Sequence, residues 1–305
     1  VLLLGIVTFI LIDFAAGRVI DYLNESAKNK PLSPVAAEIY NADEYAKSLE
    51  YGTAKYKVEL FTSVISTVVM LSAIILGWFA WLDQIIRDRF SNNLLITVIF
   101  FGVLIVGGML VNLPVSYYST FVIEEKFGFN KSTKKLFFLD KIKGLLMTII
   151  LGGSILSIIT WFYEFTGNYF WIYTWLLITT FSVFLNMFYS KLIVPLFNEQ
   201  TILEEGDLKN EIVKYVNSVG FKANNIYVLN GSKRSTKANA YFSGFGNQKR
   251  ITLYDTLIND LENNEIVAVL AHEVGHYKRK HILYNLTSSI ILTGFAFFVL
   301  SLFIK

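Results

Sequence analysis

The chain has 305 residues, no cysteine, a formal charge of +3, 54% hydrophobic residues and only 17% charged ones, with a positive mean hydropathy. This composition excludes a disordered chain, a disulfide scaffold and a collagen-like repeat, and the missing cysteine excludes a Cys nucleophile or a thiolate-bound metal. The small positive balance argues against a nucleic-acid partner.

Charge is absent in long blocks. Val1–Ile12 is an apolar run ended by Asp13. It starts without Met, which points to a fragment lacking its true start; a cleaved signal peptide is the competing reading, weakened because no basic leader precedes the run. Residues 60–82, 94–123, 144–163, 165–190 and 282–304 carry no charge, and each block has at least 20 residues. A helix rising 1.5 Å per residue needs about 20 apolar residues to cross a ~30 Å hydrocarbon layer. Six spans are therefore expected, over about 1–20, 58–82, 94–118, 143–163, 169–195 and 282–304. Trp78, Trp81, Trp161, Trp171 and Trp175 lie near segment ends, as interfacial aromatics do. Asn112 and Asn186 are expected to bond across helices or, alternatively, to line a wet chamber, and Pro114 falls near a span end.

If all six runs span, the loops 18–57, 124–143 and 191–281 fall on one side with six, six and twelve Lys/Arg, against Arg87, Arg89 and Lys305 on the other. The positive-inside rule places the first group in the cytoplasm. This gives a membrane domain over 1–195, a polar domain over 196–281 and a last span over 282–304.

The polar domain has mixed structure signals. Leu208–Val219 reads as an amphipathic helix stopped by Gly220; Asn225–Leu229 and Arg250–Tyr254 read as strands, with Ala238–Phe242 as a third. Asn263 or Asn264 can cap a helix running through Ile266–Lys280, which is expected to continue unbroken into the last span.

His272-Glu273-Val274-Gly275-His276 lies in that helix. Residues i and i+4 share a helix face, so both imidazoles can bind one ion while Glu273 reaches the water beside it. Nitrogen and oxygen donors without sulfur suit a single Zn²⁺. The expected chemistry is peptide-bond hydrolysis, with Glu273 as general base and then general acid. A third protein ligand is required, and none is evident. On a continuous helix His281 would sit about 500° past His276, roughly 140° off the ligand face, so it is assigned to the basic stretch Lys278–His281. Glu262 and Glu265 are assigned to the helix start, and Lys233 and Arg234 to acidic neighbours or lipid head groups.

Several motifs in order resemble the type I CAAX prenyl protease family of integral-membrane zinc endopeptidases. They are Leu49-Glu50-Tyr51, Glu124 to Asn130 (EEKFGFN), Pro195-Leu196-Phe197-Asn198, Gly231 to Ser235 (GSKRS), Asn239 to Phe245 (NAYFSGF) and the HEVGH helix itself. The resemblance covers nearly the whole chain. It implies seven membrane helices around a water-filled chamber, of which this chain would hold six. It further implies a small α+β, gluzincin-like zinc-protease domain on the cytoplasmic side. The third zinc ligand would be a Glu after the seventh span, beyond the end of this chain, which reads as truncated. An edge strand at Ala238–Gly244 would hold an extended peptide substrate through Asn239, Ala240 and Tyr241; an ordinary core strand, with Tyr241 and Phe242 packed inside, is the alternative.

The implied partners are a peptide or protein substrate, with or without a prenyl group near its C-terminus, and the lipid bilayer. The implied location is the bacterial inner membrane, or the endoplasmic reticulum membrane in a eukaryote. A quality-control membrane protease of the heat-shock type has fewer spans. A non-catalytic membrane scaffold or a transporter leaves Glu273 beside the histidines unexplained.

Overall fold

The computed structural model describes residues 2–28, 30, 32–220, 226–244 and 249–303. Asn225 of the expected strand and Phe245 of the substrate motif lie outside these. The chain is mostly helical and divides into two compact units, Val1–Asn130 and Lys131–Lys305.

In the first unit, α1 (Leu2–Ala27) precedes a short α2 (Pro34–Ile39), a long α3 (Ala42–Ile75), α4 (Trp78–Arg87) and α5 (Asn93–Tyr118), which continues through a π-helical turn to Glu124. The helix over the expected second span breaks within it. Gly77 adopts the left-handed conformation (φ 70°), which glycine reaches without a Cβ penalty, and α4 starts anew after it. Two of the sequence motifs meet here. The Tyr51 hydroxyl donates to Glu124, its ring lies 5.2 Å from Phe127 and 5.0 Å from Phe129, and Lys126 pairs with Glu50 at 2.6 Å.

The second unit opens with α6 (Lys134–Met147), which passes through a π-turn into α7 (Gly153–Thr166). A reversal at Gly167 (φ 54°) leads to α8 (Phe170–Leu192) and a single turn, α9 (Val194–Phe197). By length and apolar composition, five segments of the described chain can cross a membrane: 3–27, 42–75, 93–124, 134–192 and 281–301. The fourth, 59 residues long, holds two helical runs on either side of Gly167, which the sequence reading counts as separate spans.

The polar domain is a four-stranded sheet with helices. Strands β1 (Gln200–Ile202), β2 (Ile226–Leu229), β3 (Ala240–Ser243) and β4 (Arg250–Tyr254) lie in the order β1-β2-β4-β3. The central β2–β4 pair is parallel and the two outer pairs are antiparallel. The core combines Ile226, Ile251 and Leu253 of the sheet with Ile212 and Val216 of α10 (Asp207–Ser218), Leu257 of α11 (Asp255–Asp260) and Ile266 and Leu270 of α12 (Asn263–Lys278). Gly220 (φ 70°) stops α10 as its sequence position requires.

Two expectations about α12 change. Its cap is Glu262, not Asn263 or Asn264: Glu262 and Glu265 form a reciprocal capping box, with the Glu262 N–H donating to Glu265 Oε2 at 2.9 Å. The helix also does not run on into the last span. It ends at Lys278, and α13 (His281–Ser301) starts after Lys280, which is left-handed.

Trp175, expected near a span end, also joins two helices. Its indole N–H donates to the Ile290 carbonyl at 2.9 Å, tying α8 to α13. Gly294 makes room for that ring, since a Cβ there would lie 2.9 Å from Trp175 Nε1. Among the described residues Asn112 and Asn186 bond back to Gly108 and Ser182 in their own helices rather than across to neighbours.

Candidate metal centre

The sheet domain positions the histidines by burying the opposite side of their helix. Ile266, Leu270 and Val274 recur every four residues along α12 and are 1%, 0% and 2% exposed. That apolar stripe packs α12 inward, so His272 and His276, also four apart, stand exposed on its outer face, with Glu273, next in sequence to His272, partly buried.

The two imidazoles converge. His272 Nε2 and His276 Nε2 lie 3.0 Å apart, with ring centroids 4.7 Å apart. Ligand nitrogens about 2.0–2.1 Å from a tetrahedral zinc lie about 3.3 Å from each other. The pair therefore fits two adjacent corners of such a site, and its donors are the kind zinc takes. Among the described residues no group of three or more His, Cys, Asp or Glu could hold a metal ion. His281 does come close, contrary to the continuous-helix expectation: its Nδ1 lies 2.7 Å from His276 Nδ1, on the ring edge opposite the converging nitrogens.

The expected substrate strand, β3, lies at an edge of the sheet and pairs in the described residues with β4 alone. Its three named residues face different surroundings. Asn239 is exposed just before the strand, and its side chain bonds the Tyr254 phenol. Ala240 is buried in the domain core. Tyr241 lines a cavity of about 490 Å³ with Leu185, Asn186 and Tyr189 of α8 and Ile282 of α13. Burial, with Tyr241 close by, pushes the Tyr254 phenol above its ordinary pKa, although the bond from Asn239 opposes this. Gly231 abuts the same Tyr254 ring, where a Cβ would come within 2.4 Å of Cδ2.

Arg234 meets an acidic neighbour, as one of the two expectations for it has it, and its partner is Asp140. Its guanidinium grips Asp140 through two bonds, Nε to Oδ2 at 2.8 Å and Nη2 to Oδ1 at 2.9 Å, and also donates to Asn198 and to the Phe197 carbonyl. The Lys131 N–H donates to the Arg234 carbonyl at 3.0 Å. Two motifs far apart in sequence, around Asn198 and Arg234, thus meet at one side chain. Planar bidentate pairing of this kind is what arginine supplies and lysine does not. The motif spacing carries no direct signal of the Asp140 contact.

Comparison with known proteins places the chain in a family. Residues 21–199 match the family described as CAAX prenyl protease N-terminal, five membrane helices, and residues 203–305 match peptidase family M48. The chain belongs to the CAAX prenyl protease family. It is an integral membrane protein of a family of zinc-dependent peptidases. It is 36% identical over 302 residues to the CAAX prenyl protease 1 homolog of Arabidopsis thaliana, covering 96% of this chain and 71% of that protein. It is 37% identical over 284 residues to CAAX prenyl protease 1 of Saccharomyces cerevisiae, covering 89% and 62%. The crystal structure of Ste24p from S. mikatae superposes with a TM-score of 0.89 at 34% identity, over 97% of this chain and 71% of that one. The chain therefore spans less than two thirds of the yeast relative's length.

Proposed function

We propose that this chain belongs to a membrane-embedded zinc metalloendopeptidase that cleaves near the C-terminus of prenylated or membrane-associated proteins. One observation carries the reading: two imidazoles converge on the exposed face of α12, with a carboxylate beside them in the sequence. In this reading His272 and His276 are metal ligands, and a Glu outside the present sequence is the third. Zinc, when held there, supplies a Lewis acid for the peptide carbonyl and acidifies water at neutral pH.

The other tasks belong to the chain's own residues. Glu273 accepts a proton from the attacking water and passes it to the leaving amine. The edge of β3 away from β4 receives the substrate backbone by strand addition, a mode that demands little of the side chains. Asn239 bonds the substrate backbone at one end of that edge, with Ala240 setting the strand against the core. Tyr241 offers a ring to side chains or lipid in the cavity beside it. The domain plan is a membrane part over 1–195, a zinc-protease part over 196–281 and a span over 282–304. The excess of Lys and Arg in 18–57 and 124–143 supports a cytoplasmic peptidase domain. The membrane is the inner membrane in a bacterium and the endoplasmic reticulum in a eukaryote.

The test is cleavage by the purified full-length parent protein of a farnesylated CAAX peptide and of its unmodified counterpart. The expected result is cleavage of the farnesylated peptide that stops with chelator, returns with zinc, and falls about 10²–10⁴-fold in Glu273→Gln. Cleavage indifferent to chelator, or undiminished in Glu273→Gln, contradicts the zinc-hydrolase reading. Cleavage of the unmodified peptide alone removes the prenyl preference and leaves the enzyme class.

A further inference from the structure

The junction between α12 and α13 is built on one strained residue. Among the described residues Lys280 is the non-glycine residue with positive φ, at φ 56° and ψ 31°. A side chain in the left-handed region carries a steric penalty that glycine escapes, so a lysine there calls for a reason. The Arg279 N–H donates to Gly275 O at 3.0 Å and the Lys280 N–H to Tyr277 O at 2.9 Å, closing α12. The Tyr284 N–H donates to Lys280 O at 3.0 Å, opening α13.

The result of this joint is the placement of His281. Without the break it would point away from the histidine face. With it, His281 Nδ1 lies 2.7 Å from His276 Nδ1, and the rings meet edge to face with centroids 4.9 Å apart. Both ring nitrogens of His276 are thereby engaged, Nε2 toward His272 at 3.0 Å and Nδ1 toward His281. A neutral imidazole has one N–H and one lone pair. For Nε2 to offer its lone pair to a metal, the proton must sit on Nδ1, which then donates it to His281 Nδ1. His281 in turn keeps its own proton on Nε2.

We propose that His281, swung into place by the left-handed Lys280, is a positioning residue that fixes the tautomer and ring orientation of His276 for metal binding. This rests on the reading of His272 and His276 as the metal pair. Partners of this kind raise ligand basicity and restrict ring rotation, and their loss typically weakens metal holding by about 10–100-fold.

The experiment follows zinc release from the zinc-loaded full-length parent protein to a chelator, with thermal unfolding as a folding control. His281→Phe, which keeps a ring but has no acceptor, is expected to lose zinc about 10–100-fold faster than wild type. His281→Gln, whose amide oxygen can accept the Nδ1 proton, recovers most of the retention. Lys280→Asn, a residue that tolerates the left-handed conformation, retains zinc as wild type does. Release from His281→Phe at the wild-type rate, or equal losses in the Phe and Gln variants, overturns the proposal while leaving the metal pair standing. A wild type that retains no zinc overturns the metallopeptidase reading and this inference with it.

Discussion

The sheet domain and the long helices treat the same residue types in opposite ways. In the domain Ile251 and Leu253 are 0% exposed, whereas along α1 Leu4 and Phe9 are each 71% exposed. In water such exposure on every long helix would be costly, because apolar area left in solvent forfeits about 25 cal/mol per Å². In a bilayer it costs little, since lipid tails are as apolar as leucine. The contrast shows two solvents acting on one chain. The sheet domain uses burial to aim side chains, and it is there that the histidines are aimed.

The largest effect that would sharpen the contrast is expected at Leu270, on the buried face of α12. Leu270→Ala should cost about 2–5 kcal/mol, read as a lowered unfolding temperature of the peptidase domain, and should remove activity with it. A loss below ~1 kcal/mol would mean that the packed stripe does not hold the histidine helix. Next is Gly294→Val, which pushes a side chain into Trp175 and its bond to Ile290. Overpacking there should cost about 1–3 kcal/mol, detected as earlier melting in detergent. Unchanged melting would show that α8 and α13 do not need their close approach.

A smaller effect is expected at the start of α12. Glu262→Ala removes one half of the capping box and should cost about 0.5–2 kcal/mol by chemical denaturation. The smallest is expected at Phe9→Ala, within about 0.5 kcal/mol in lipid nanodiscs. A penalty there matching that of Leu270→Ala would break the contrast, because it would mean that α1 buries Phe9 against protein rather than lipid.

Much of this was legible in the sequence, for reasons that can be located. The charge-free blocks mark the apolar helices because length and hydropathy alone decide them. The HEVGH spacing places two imidazoles on one face because helical periodicity is fixed. Gly220 ends α10 at the expected place. What stayed hidden depends on single residues acting against their tendencies or across long distances. Lys280 has no local signal for a left-handed turn, so the break that delivers His281 could not be read from it. Gly77 lies inside an apolar run, where hydropathy masks its turn. Strand β1 has three residues, too few for a period to show. Arg234 and Asp140 are 94 residues apart, and nothing local announces their pairing.

The central claim is that His272 and His276 share one metal ion, and zinc stoichiometry by elemental analysis of the intact parent protein tests it most directly. The account predicts about one zinc per chain in the wild type, and none in His272→Ala or His276→Ala variants that fold normally. Zinc at the wild-type level in both variants, or none in a wild type supplied with excess metal, would contradict it.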